Sequence, residues 1–133
     1  KTLKVADALI KVIGVASALG ATSAKTWLKI PYCENYELVA KATSLPCLML
    51  GGEAKGDPTP TIKEFAQGIR AGASIRGALV GRNVHHPANG DDPLAIALAI
   101  NGIVHNGFTA EEAVGHLMEQ RGKNMDALTK YLG

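Results

Sequence analysis

The residue of this sequence best suited to covalent chemistry is a lysine inside a short apolar segment. Residues 26 to 30 read Thr-Trp-Leu-Lys-Ile, which sets Lys29 between Leu28 and Ile30. Alternation along a strand places Lys29 on the face opposite those two neighbours. Apolar surroundings favour the neutral amine, and a neutral amine attacks a carbonyl carbon to form a Schiff base. A structural lysine that reaches water or pairs with a carboxylate fits the same pattern.

Two glycine-containing turns form the second chemical feature. Gly51-Gly52 follows the apolar run 45–50, and Gly81-Arg82 follows the run 77–80. Glycine after a strand lets backbone N–H groups approach an anion closely, and Arg82 would add a cation. Residues 83–86 are predicted to form one helical turn whose N-terminus faces the same point. The turns therefore predict a phosphate site, with ordinary strand-to-helix turns as the alternative.

The histidines and cysteines do not predict a metal site. His85 and His86 are adjacent, so their side chains point apart, and no third ligand follows at suitable spacing. Cys33 and Cys47 form no metal-binding pattern either. We expect no metal and no cofactor. Two cysteines in a chain of this size also favour the reducing cytoplasm.

Strands and helices alternate around these residues. The continuous apolar run at 45–50 is typical of a strand buried on both faces of a parallel sheet. Thr109 and Glu112 have the spacing of a capping box at the start of a helix. Strands that alternate with helices imply a parallel sheet with right-handed crossovers. Strands are predicted at 26–30, 45–50 and 77–80, and helices at 2–19, 34–43, 61–71, 92–106 and 126–132.

Composition excludes several classes of protein. The 133 residues correspond to about one domain, and 47% hydrophobic residues argue against a disordered chain. The formal charge is +2 and no basic cluster occurs, so nucleic acid is not an expected partner. No apolar run approaches the ~20 residues of a membrane span, and no membrane partner is expected.

Together, these segments resemble the C-terminal part of the class I, Schiff-base aldolases of the fructose-bisphosphate and deoxyribose-phosphate aldolase superfamily. The resemblance is carried by Thr26 to Tyr32, by Pro46 to Gly52 and by Gly77 to Asn83. It implies an α/β fold that forms about the last three strand–helix units of a (β/α)8 TIM barrel, followed by a C-terminal helical tail. We therefore expect a partial barrel over residues 1–107 and a helical extension over 108–133.

The resemblance also implies a function and its residues. Lys29 occupies the position of the lysine that forms the Schiff base with a ketone substrate. Gly51, Gly52, Gly81 and Arg82 match the residues that bind the substrate phosphate. The implied activity is that of a class I aldolase, a carbon–carbon lyase of carbohydrate metabolism that acts on a sugar phosphate or related keto compound. Leu50 departs from the pattern, since many members carry a serine there.

The family's acid/base residues lie on earlier strands, and this sequence contains none of them. A complete barrel has about 250 residues. We therefore expect a fragment of a longer enzyme, inactive alone, that covers its open strand edges by forming a homo-oligomer. Two alternatives remain: a non-catalytic phosphate- or nucleotide-binding module with a doubly wound sheet, and a folded scaffold without activity.

Overall fold

The computed structural model describes residues 5–52, 56–87 and 90–123 of the chain. Within these ranges, strands alternate with helices from α1 to α4, and two longer helices follow. The strands are β1 (Leu28–Pro31), β2 (Cys47–Leu50) and β3 (Ile75–Leu79). The helices are α1 (Ala6–Ser17), α2 (Tyr36–Lys41), α3 (Thr59–Gly68), α4 (Arg82–His85), α5 (Pro93–Asn106) and α6 (Ala110–Gln120). None of these helices has the length and hydropathy that a membrane-spanning segment requires.

The three strands form one open parallel sheet in the order β1-β2-β3. Lys29 of β1 is in register with Leu48 of β2, and Ile30 is in register with Met49. On the other side of β2, Leu50 is in register with Leu79 of β3. The predicted parallel α/β architecture is therefore confirmed for these strands.

The chain divides into two compact units, Lys1–Leu50 with Gln67–Leu79 and Gly51–Ala66 with Val80–Gly133. The first unit holds the sheet, whose two faces differ in burial. The closed face consists of Ile30, Cys47, Met49 and Ile75, all at most 5% exposed. The open face consists of Lys29, Leu48, Leu50 and Leu79, of which the first and last are exposed and the others half-buried.

Helices α1 and α2 pack beside the sheet in the first unit. Leu9 and Ile13 form the buried face of α1, as the helical spacing of its apolar residues requires. The backbone of Gly68, at the end of α3, lies directly against the Met49 side chain, so that a Cβ there would overlap the thioether. Close contacts of this kind explain why Met49 is fully buried.

The second unit contains a pair of helices, α5 and α6, joined by a tight connection. Gly107 ends α5 with a φ of 71°, a left-handed conformation that glycine adopts at low cost. The predicted capping box is present: Thr109 Oγ1 accepts from the Glu112 N–H at 3.2 Å, and Glu112 Oε2 accepts from the Thr109 N–H at 2.8 Å. The ring of Phe108 packs on Gly102, where a Cβ would collide with it.

Two adjacent aspartates tie the start of α5 to the end of α6. Asp92 caps α5 by accepting two N–H groups of its first turn through Oδ1, and its Oδ2 accepts the Gly122 N–H at 3.0 Å. The Arg121 guanidinium donates to both carboxylate oxygens of Asp91, at 2.8 and 2.7 Å. This bidentate ion pair links the residues just before α5 to those just after α6.

Most element boundaries differ from the sequence-based predictions by a few residues. The first strand begins at Leu28, so Thr26 and Trp27 precede the sheet, and Trp27 is 58% exposed. The third helix was predicted over 61–71, but α3 spans Thr59–Gly68. Gly72 follows that helix, and a Cβ added to it would lie 2.9 Å from the Ala40 Cβ. The helix predicted at 126–132 lies outside the described residues. The boundary predicted at residue 107 stays a prediction.

Candidate functional site

Lys29 lies on the open face of the sheet, two residues before the end of β1. As the alternation predicts, it points away from Ile30, which is 3% exposed. The Lys29 side chain is exposed, beside Leu48 of the neighbouring strand, so it is not enclosed by the apolar surroundings expected from the sequence. In parallel α/β proteins, ligands bind at the carboxyl ends of the strands, and Lys29 stands close to that end of β1. An amine placed there is accessible to a carbonyl compound.

The first glycine turn, Gly51-Gly52, belongs to the second unit. Its glycines serve different purposes. A Cβ on Gly51 would lie 2.9 Å from Val80 Cγ1 and 3.2 Å from Asn83 Oδ1, so glycine permits a close approach there. Gly52 has a φ of 67°, and a Cβ added to it would meet nothing within 4 Å, so its requirement is conformational.

The second glycine turn, Gly81-Arg82-Asn83, leads directly into the short helix α4. The N–H groups of Val84 and His85 both donate to the Gly81 carbonyl, at 2.9 and 3.0 Å. The predicted single helical turn is therefore present, one residue earlier than expected. Arg82 is exposed, and a Cβ on Gly81 would meet no atom within 4 Å. Open space beside Gly81 leaves its backbone accessible to an anion.

The structure brings the two glycine turns together, because Gly51 lies against Val80 and Asn83. Lys29 belongs to the first unit, whereas both turns belong to the second. Sequence reasoning gave no role to Asn83, which is only 6% exposed. Its distance of 32 positions from Gly51 leaves no local signal in the sequence that would reveal their contact.

The histidines and cysteines considered in the sequence analysis add no reactive group to the candidate site. His85 and His86 are exposed, and no three potential metal ligands cluster among the described residues. Both cysteines are free and buried. Burial raises the pKa of the Cys47 thiol, and it raises the pKa of Cys33 with smaller contributions from nearby glutamates. Buried thiols with raised pKa values are poor nucleophiles.

Comparison with known proteins finds relatives that are enzymes. Over 108 residues it is 32% identical to 2-amino-3,7-dideoxy-D-threo-hept-6-ulosonate synthase 1 of Archaeoglobus fulgidus, covering 81% of this chain and 39% of the relative. It is 29% identical, also over 108 residues, to 3-hydroxy-5-phosphonooxypentane-2,4-dione thiolase of Salmonella paratyphi A, covering 81% of this chain and 34% of that protein. The chain thus spans well under half the length of these relatives. The predicted resemblance to the C-terminal part of class I aldolase-like enzymes is confirmed.

A solved structure and a family model agree with this result. The crystal structure of Cgl0159 from Corynebacterium glutamicum matches with a TM-score of 0.67 and 33% identity, over 77% of this chain and 34% of that one. The model of the family described as Cgl0159-like matches residues 1–100, which is most of the sequence. The chain belongs to the Cgl0159-like family.

Proposed function

We propose that this chain is the substrate-binding and Schiff-base part of a class I aldolase-type lyase. The observation that carries the proposal is the position of Lys29, an accessible amine near the carboxyl end of a parallel strand. The names of the two curated relatives describe keto compounds, an ulosonate and a dione, and the second name contains a phosphonooxy group. A phosphorylated keto compound is therefore the proposed substrate.

The strand arrangement supports a partial (β/α)8 barrel. The strands lie side by side in the order in which they occur in the chain, β1-β2-β3. In a doubly wound sheet, by contrast, the strand order reverses at a switch point. In a barrel, helices cover one face of the strands and the other face points inward. The closed and open faces of this sheet fit that division. Under this proposal, the three strands are the last three of eight, and acid/base residues come from the preceding strands.

The proposed chemistry starts at the Lys29 amine. Its nitrogen lone pair attacks the ketone carbon, and loss of one water molecule gives an iminium ion. The iminium then accepts the electron pair of the bond between the α and β carbons as that bond breaks and the β-hydroxyl loses its proton, which yields an enamine and a carbonyl product. Protonation of the enamine carbon and addition of water release the second product and restore the amine. Every proton transfer uses a group outside these strands.

The proposed phosphate site is formed by Gly51, Gly52, Gly81 and Arg82. Backbone N–H groups of the glycine turns would donate to the phosphate oxygens, and Arg82 would supply a positive charge. Leu50 offers no hydroxyl at the position where many superfamily members carry serine. We therefore expect one hydrogen bond fewer to the phosphate, which corresponds to about 0.5–1.5 kcal/mol of binding free energy.

Trapping the imine tests the enzymatic proposal. The protein is incubated with a phosphorylated ketone, reduced with borohydride and weighed by mass spectrometry. We expect a stable adduct in the wild type and its loss in Lys29→Met, which keeps the apolar stem but removes the amine. Lys41→Met is the matched control, because Lys41 is an exposed lysine at the end of α2. An adduct that survives in Lys29→Met contradicts the assignment.

A non-catalytic phosphate-binding module is the second candidate. Its supporting observation is the exposure of Lys29, since a lysine that only attracts an anion would also face solvent. This candidate predicts that phosphate raises the thermal midpoint without any covalent adduct after borohydride treatment. The same pair of measurements therefore separates the two functions.

The edges of the sheet also support self-association, which we propose takes the form of a symmetric homodimer. Exposed apolar side chains and unpaired edges on β1 and β3 favour burial against a second surface.

A further inference from the structure

The two glycine turns contact each other through the side chains of Val80 and Asn83. Val80 and Asn83 occupy the space beside Gly51 that a Cβ would need, at 2.9 and 3.2 Å from its position. Valine is branched at Cβ, so Val80 cannot withdraw its methyl group by a small adjustment. The first turn therefore fits the second only while residue 51 is glycine.

Asn83 links this contact to the second turn. Its side chain is almost entirely buried, at 6% exposure, and its amide carbon also lies 3.6 Å from the Gly51 Cβ position. Asn83 belongs to α4, and that helix is bonded to the Gly81 carbonyl through the Val84 and His85 N–H groups. A shift of Asn83 would consequently move the backbone on which Gly81 sits.

We propose that Asn83 is a positioning residue that locks both turns into one preassembled cradle for a phosphate monoester, while Val80 limits the space beside Gly51. The inference rests on the proposed phosphate-binding function and adds to it. The Asn83 amide is buried against Gly51 and does not face solvent. We therefore expect Asn83 to act on the ligand indirectly, by holding the two turns in place. Preassembly lowers the cost of ordering the loops when the anion binds.

Phosphate titration of the full chain tests this inference. The ¹⁵N-labelled protein is titrated with inorganic phosphate at constant pH and ionic strength, and amide shifts of Gly51, Gly52 and Gly81 report binding. Gly51→Ala should weaken phosphate binding at least fivefold. Adding Val80→Ala should restore the affinity to within about twofold, because the valine methyl group that collides with the new Cβ is removed.

Two further variants separate positioning from general stability. Gly115→Ala is the matched control, since Gly115 is exposed in α6 with nothing within 4 Å of its Cβ position. It should leave phosphate affinity unchanged. Asn83→Ala creates no collision and should still weaken binding at least fivefold. Thermal midpoints measured without phosphate show whether each variant is folded.

The outcomes distinguish the two proposals. Absence of phosphate-dependent shifts in the wild type contradicts the phosphate-binding function and this inference together. Binding by the wild type that is unchanged in Gly51→Ala contradicts the positioning role alone. If Gly51→Ala does not fold, Asn83→Ala decides, and wild-type affinity in that variant overturns the inference. Failure of Val80→Ala to rescue a folded Gly51→Ala protein also contradicts it.

Discussion

The two faces of the β-sheet show how one set of strands separates stability from chemistry. On the closed face, Met49 and Cys47 are fully buried. On the open face, the side chains of Lys29 and Leu79 are exposed to solvent. Alternation along each strand produces both faces from the same few residues. The closed face therefore supplies the packing free energy, and the open face is free to carry a reactive group.

The difference is clearest in how each face tolerates polar groups. An ammonium group on the closed face would lose its hydration among apolar side chains, at a cost of several kcal/mol. On the open face, Lys29 keeps access to water. The residue to which we assign the proposed chemistry is thus placed where it destabilises the fold least.

Truncation on the closed face should have the largest effect on stability. Met49→Ala is expected to lower the free energy of unfolding by about 2–5 kcal/mol, because it leaves a cavity at a fully buried site. Leu38→Ala is the control, since Leu38 is 47% exposed on α2 and should change stability by about 0.5 kcal/mol. Urea unfolding followed by circular dichroism measures both. Equal effects would contradict the assignment of a closed face.

A charge on the open face should act on self-association instead. Leu79 is 51% exposed, and Leu79→Glu would place a carboxylate in the proposed dimer interface. We expect its dimer to dissociate at least tenfold more readily, about 1.4 kcal/mol, in sedimentation equilibrium. Val15→Glu is the control, because Val15 is also exposed but lies on α1. A wild type that is monomeric at micromolar concentration contradicts the dimer.

Alkaline pH should weaken the closed face by a smaller amount. Burial raises the pKa of the Cys47 thiol above 9.0 and raises the pKa of Tyr36 well above its usual value. Between the unfolded and folded pKa values, the unfolded chain loses protons that the folded chain keeps, so stability falls as the pH rises above about 9. Urea unfolding at pH 8 and pH 10 measures the change. In Cys47→Ala the decline should be shallower, and an identical decline contradicts the role of this thiol.

Local features of the sequence predicted the elements that hold the candidate site. The glycines after the apolar runs predicted the end of β2 and, to within one residue, the end of β3. The Thr109–Glu112 spacing predicted the capping box. Alternation around Lys29 predicted its face. These predictions succeed because strand periodicity and helix capping depend on residues only a few positions apart.

Local patterns in the sequence did not predict contacts between residues that are far apart along the chain. Gly51 and Asn83 meet across 32 positions, and Asp91 and Arg121 pair across 30. The start of β1 depends in the same way on its partner strand, since β1 pairs with β2 only from Leu28 onward. Trp27 therefore falls outside the sheet although its residue type favours strands.

We propose that the Lys29 amine forms the covalent bond to a ketone substrate. The most direct test of this proposal is proteolytic peptide mapping after borohydride reduction with a phosphorylated ketone, which compares Lys29 with the exposed lysines Lys25 and Lys41. We expect the reduced adduct to lie on the peptide that contains Lys29. An adduct spread evenly over the three lysines, or confined to another one, would contradict it.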